Sequence, residues 1–102
     1  MSGYVLSRAA DHDLDDIWNH IADDSVDAAD RLTTKLLDSC EALARHPGMG
    51  HKREDLTHYP VLFWPVENYL VIYRGGRSPI QVVAIVYGGR DIPTFLHVRG
   101  VE

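Results

Sequence analysis

The chain has 102 residues, 45% of them apolar and 25% charged, with a formal net charge of -5. That length suits one small domain over residues 1–102, able to bury roughly 60–65% of its unfolded surface without disulfides or a metal. No apolar run approaches the length of a bilayer-spanning helix, no basic flank precedes a hydrophobic run at the N-terminus, and the acid surplus argues against a protein that grips bare nucleic acid over its whole surface.

The single cysteine, Cys40, has no partner for an internal disulfide, so a reducing cytoplasm is the expected compartment. Charge is unevenly divided. Residues 1–41 hold ten Asp/Glu against three Lys/Arg, a net of -7, whereas residues 42–102 hold five against seven, a net of +2. Either two faces meet different partners, or solvated helices lie beside an arginine-bearing sheet.

In chain order, Tyr4-Val5-Leu6 is short, apolar and β-prone, and Ser7 follows as a helix N-cap. Ala10, Leu14, Ile17, Trp18, Ile21 and Ala22 recur at helical spacing, which predicts a first helix over residues 8–23 with aspartates crowding its early turns. Asp24-Ser25 breaks it. A second helix carries Ala29, Leu32, Leu36, Cys40 and Leu43 on one face and is stopped by Pro47-Gly48. So short a connection predicts an antiparallel helical hairpin. Beyond Gly50 three β-branched and aromatic runs follow, over 61–66, 69–74 and 80–87, joined by Glu67-Asn68 and by the 75–79 turn. The last two are apolar on both faces and so central, while Pro65 puts its strand at an edge. The predicted fold is α+β, in the order β-α-α-β-β-β, an antiparallel sheet packed against an N-terminal helical hairpin.

Few residues offer chemistry. His12, Asp16 and His20 share a helix face, but three ligands drifting along one helix enclose a metal poorly. Cys40 belongs to an apolar stripe and reads as a core thiol. Gly88-Gly89 follows a strand with no helix predicted after it, so a dinucleotide loop is not expected. What remains is an arginine set, Arg53, Arg74 and Arg90, whose guanidinium forks suit anionic groups or, equally, neighbouring carboxylates. Antiparallel connectivity places Arg74 and Arg90 near opposite ends of the sheet. Phe63 and Trp64, adjacent on the edge strand, point to opposite faces and mark a place for strand or helix addition by a partner.

The layout resembles the ParE branch of the ParE/RelE toxin superfamily. The likeness runs from Tyr4-Val5-Leu6-Ser7, Ala10 and Asp13-Leu14-Asp15-Asp16-Ile17 through Ala28-Ala29-Asp30-Arg31-Leu32 to the helix end Leu43-Ala44-Arg45-His46-Pro47-Gly48-Met49-Gly50. It continues with Arg53-Glu54-Asp55-Leu56, Tyr69-Leu70-Val71-Ile72-Tyr73-Arg74 and Gly88-Gly89-Arg90-Asp91. The resemblance implies a toxin that poisons DNA gyrase on cleaved DNA, with no cofactor, metal or catalytic residue of its own. It also implies a ParD-like antitoxin in a hetero-oligomer, with DNA reached only through antitoxin or gyrase. Arg53, Arg74 and Arg90 are then expected at the target, and Phe63 and Trp64 at the antitoxin. Two positions depart from relatives: Tyr87-Gly88 stands where His-Gly is frequent, and Arg8 where proline is common.

The alternative is the RelE branch, a ribosome-dependent mRNA endonuclease. In-line cleavage needs a base, an acid and cations for the phosphorane, parts for which Glu54, Tyr87 or His97, and Arg74 with Arg53 are the available residues. Such toxins are markedly basic, and a chain of charge -5 with two lysines is not. A toxin-like domain that retains only partner binding is the third class.

Overall fold

Ser7 ends a strand and starts a helix within one residue. Its backbone N–H donates to Val82 at 2.9 Å, closing the short strand β1 (Tyr4–Leu6), and its hydroxyl accepts from the Ala10 N–H at 3.0 Å as the cap of α1 (Arg8–Ala22). The computed structural model describes residues 3–100. Ser25 repeats the capping chemistry for α2 (Val26–Arg45), accepting from the Ala28 N–H at 3.1 Å. Between the helices the chain reverses in three residues, and the Trp18 indole N–H donates to Asp30 across the hairpin at 2.9 Å. A single 3-10 turn, Pro47–Met49, then leads to β2 (Leu62–Val66), β3 (Tyr69–Arg74) and β4 (Ile80–Tyr87).

The strands form one sheet in the order β1-β4-β3-β2. β3 and β4 are central and β2 is an edge, as the apolar runs and Pro65 predict. The sheet is mixed, however, because β1 pairs parallel with β4, Tyr4 opposite Ile80 and Leu6 opposite Val82. Tight hairpins force β2, β3 and β4 to alternate in direction, whereas β1 is separated from β4 by most of the chain and is free to run alongside it.

Both faces of the sheet are covered. The helical hairpin lays Leu14, Ile17, Leu32, Leu36, Cys40 and Leu43 against Val66, Val71, Tyr73, Val82 and Ile85. On the reverse face Phe63, Ile72, Ala84 and Val86 pack under Ile92 and Leu96, with Leu56 and Tyr59 from the long loop before β2. Burying a Leu, Ile or Phe side chain contributes about 1.5–3 kcal/mol each, so these two layers dominate the stability of the fold.

Ile92 and Leu96 belong to an element absent from the predicted order, the helix α3 (Ile92–Arg99). Asp91 caps it, accepting from the Thr94 N–H at 3.3 Å and the Thr94 hydroxyl at 2.9 Å, Pro93 occupies its first turn, and Gly100 ends it at φ 74°. A helix therefore does follow Gly88-Gly89, contrary to the expectation. Only Ile92 and Leu96 of its eight residues are buried while Val98 is 79% exposed, so it leaves no apolar stripe to read. Among the described residues no helix is long and apolar enough to cross a membrane.

Candidate functional site

The three arginines occupy two ends of the molecule. Arg74 closes β3 opposite Gln81, near the start of β4. Arg53 lies at the same end, because His51 pairs antiparallel with Phe63 and the chain runs on from there past the start of β2. Arg90 lies beyond Tyr87, the last residue of β4. Tyr87 stands six residues along β4 from the partner of Arg74, a separation of about 20 Å.

Each arginine has its own surroundings. Arg53 grips Asp55 with two parallel bonds, Nε to Oδ1 at 3.0 Å and Nη2 to Oδ2 at 2.8 Å. This fork holds the Asp55 carboxyl below its ordinary pKa and raises that of Arg53. Arg74 is half-buried. The Arg90 guanidinium lies 5.0 Å from the centre of the Phe95 ring.

The end that holds Arg53 and Arg74 is built around Tyr73. Its hydroxyl donates to the Pro47 carbonyl at 2.7 Å and accepts from the Gly50 N–H at 2.9 Å, tying the end of α2 to the end of β3. Burial raises the Tyr73 pKa, a shift the Gly50 N–H bond partly offsets. A Cβ on Gly50 would collide with that hydroxyl, so glycine is required here by close approach. Lys52, Arg53, His58 and Tyr59 line a depression of about 320 Å³ beside it.

Arg99, which the sequence reading did not single out, organises the other flank. Its guanidinium forms a fork with Asp13, at 2.9 and 3.1 Å, donates to the Val83 carbonyl at 3.1 Å, and lies 4.6 Å from the Phe95 ring centre. Asp13 Oδ2 also accepts from the Ile85 N–H at 3.0 Å. β1 accompanies β4 only as far as Val82, so beyond that point Asp13 and Arg99 satisfy the strand's outward backbone groups in place of a neighbour. Arg90, Thr94, Phe95, Val98 and Arg99 line an open depression of about 560 Å³.

The β2 edge is less open than expected. Phe63 both donates to His51, at 2.8 Å, and accepts from it, at 2.9 Å, the Val61 N–H is bonded to Tyr59 at 2.8 Å, and Pro65 has no N–H. It is the backbone groups of residues 61, 63 and 65 that point away from β3, so among the described residues this edge has no free donor for an added strand. Phe63 is 2% exposed within the reverse core, whereas Trp64 is half-buried on the opposite face, stacked on His51 with ring centres 6.3 Å apart.

His12 and Asp16 approach to 3.8 Å on an exposed face, and among the described residues no group of three His, Cys, Asp or Glu side chains converges on a metal position. Cys40 is fully buried, and desolvation, with Glu41 nearby, pushes its thiol pKa up to about 12.

A helical hairpin on one face of a four-stranded mixed sheet, with a short C-terminal helix on the other, defines a ParE/RelE-like fold. The family model described as ParE toxin of type II toxin-antitoxin system, parDE, matches residues 4–92. The chain belongs to the ParE toxin family. It is 42% identical over 57 residues to Toxin ParE1 of Caulobacter vibrioides, a match covering 55% of this chain and 59% of that protein. Its fold is similar to that of a solved chain from the chromosomal ParDE TA system of P. aeruginosa, with a TM-score of 0.70 and 20% identity over 85% of this chain and 96% of that one.

Proposed function

We propose that this protein stabilises the cleavage complex of DNA gyrase by binding it, without catalytic chemistry of its own. In the cytoplasm a ParD-like antitoxin neutralises it in a hetero-oligomer. Family membership supplies the toxin class, and the observation that favours gyrase over the ribosome is the distance between Tyr87 and Arg74, two of the residues available to a nuclease. In-line phosphate cleavage requires acid, base and cations within a few ångströms of one phosphate. Here Tyr87 lies about 20 Å along the sheet from Arg74, and Arg53 is closed on Asp55.

In this reading Arg53 and Arg74 meet the target at one end of the sheet and Arg90 at the other. Trp64 carries the antitoxin contact of the aromatic pair, and Phe63 supports the strand from the opposite core. With the β2 donors consumed, the antitoxin docks there through side chains rather than by strand addition. Inducing the chain alone should produce DNA damage and filamentous growth before translation stops. Arrest of translation with intact DNA would overturn the gyrase assignment. Trp64→Ala should weaken antitoxin binding at least about tenfold, in line with loss of a central aromatic anchor. Unchanged affinity would remove Trp64 from the interface.

A further inference from the structure

The acid surplus of the chain conceals a cationic end. The last turn of α2, the turn into residue 52 and the β3–β4 loop are gathered there by the Tyr73 bonds to Pro47 and Gly50. They carry Arg45, Lys52 and Arg77, all exposed, beside Arg53 and Arg74. Among the described residues Arg45, Lys52 and Arg77 make no hydrogen bond or ion pair, whereas Lys35 and Arg99 elsewhere are held by Glu67 and Asp13. Of the two acids in the adjoining loop, Asp55 is engaged by Arg53, leaving Glu54 as the one unpaired carboxylate. At the far end of α2, a helix of 20 residues and so about 30 Å long, the hairpin turn carries Asp23, Asp24, Asp27 and Asp30. Asp38 and Glu41 lie within the last two turns of α2, but the unpaired cations Arg45, Lys52 and Arg77 gather at this end and the aspartates of the hairpin turn at the other, so charge is separated along the helix.

We infer that this end contacts the phosphodiester backbone of duplex DNA, and that the toxin touches the DNA held by its target as well as the target protein. This rests on the gyrase reading for its setting. The chemistry favours phosphate over an acidic polypeptide. A duplex presents about one negative charge per 1.7 Å of axis, so flexible cations on separate loops find a charge wherever they land. The open guanidinium forks of Arg45 and Arg77 suit carboxylate and phosphate alike, but with the Lys52 ammonium they stand on three separate segments, and a continuous phosphate backbone meets all three without a matching sequence. Three or four phosphate contacts on a chain of net charge -5 give weak, salt-sensitive binding, suited to DNA presented by another protein.

The test is fluorescence anisotropy of a labelled mixed-sequence 30-base-pair duplex with the purified full chain. Two charge-matched variants are compared, K52E/R77E at the cationic end and R31E/K35E on the first half of α2. The expected result is binding whose logarithm falls with log salt at a slope of about -3, weakened at least about tenfold by K52E/R77E and less than about twofold by R31E/K35E. Absence of binding at low salt, equal weakening by both variants, or tighter binding of poly-L-glutamate than of duplex would overturn the assignment. Circular dichroism of each variant separates loss of contact from loss of fold. Gyrase inhibition without DNA binding would overturn this surface and leave the proposed function standing. K52E/R77E-sensitive DNA binding in a chain inert toward gyrase would do the reverse.

Discussion

Arg99 holds together three parts of the chain that are distant in sequence. Its side chain and that of Asp13 are only 20% and 14% exposed, and between them they satisfy Val83 and Ile85 on the uncovered stretch of β4. Arg99→Ala would leave a mostly buried carboxylate unpaired and uncover one side of Phe95, a loss expected to cost about 2–4 kcal/mol in urea unfolding. Asp13→Ala should cost a similar amount, and the two together much less than their sum, because one network is lost twice. Additive losses would show that the fork contributes little. Cys40 gives a second residue-scale prediction with a definite sign. Its pKa rises on folding from 9.0 to about 12, so below pH 9 both states keep the proton and stability is unaffected. Above pH 9 the unfolded thiol ionises while the folded one does not, and stability falls by about 1.4 kcal/mol per pH unit until about pH 12. Cys40→Ala should flatten that alkaline slope, and the native thiol should react with a thiol reagent at pH 8 only as fast as the protein unfolds.

At the level of elements, the two long helices and the three main strands are legible in the sequence because each carries a strong local signal. Residues 29, 32, 36, 40 and 43 of α2 are all buried, and β3 and β4 begin and end where their apolar runs do. What the sequence hides is whatever depends on distant partners. α3 buries only Ile92 and Leu96, so periodicity misses it, although Asp91 and Pro93 at its start and Gly100 at its end carry the capping signature. The Asp13–Arg99 fork spans 86 positions, and the parallel pairing of β1 with β4 spans most of the chain. The arginines, and the placing of Arg74 and Arg90 at opposite ends of the sheet, were readable from the strand order, whereas the position of Arg53 at the Arg74 end and the closed β2 edge needed the His51–Phe63 pairing. The β2–β3 turn yields a prediction of its own. Glu67 sits at φ 54°, where a side chain is strained and glycine is not, and its ion pair with Lys35 is exposed. Glu67→Gly should therefore raise stability by up to about 1 kcal/mol, measurable as a melting temperature several degrees higher. A lower melting temperature would mean that the Lys35 pair outweighs the strain.

Over the whole molecule, the helical hairpin and the sheet do not simply carry opposite charges. α2 runs from an aspartate-rich turn to the end that holds Arg45, Lys52 and Arg77, so charge is separated along the sheet as well as across it. Such a dipole orients the chain in the field of a negatively charged target and accounts for basic groups in a protein of charge -5. It also matches a toxin that engages a protein–DNA complex rather than free nucleic acid. The most direct measurement of that account uses purified gyrase, supercoiled plasmid, ATP and the purified chain, with covalent complexes trapped by detergent and digested with protease. Poisoning of gyrase predicts linear DNA accumulating with toxin dose and suppressed by the antitoxin. Intact plasmid at every dose, together with cleavage of messenger RNA on ribosomes, would contradict it.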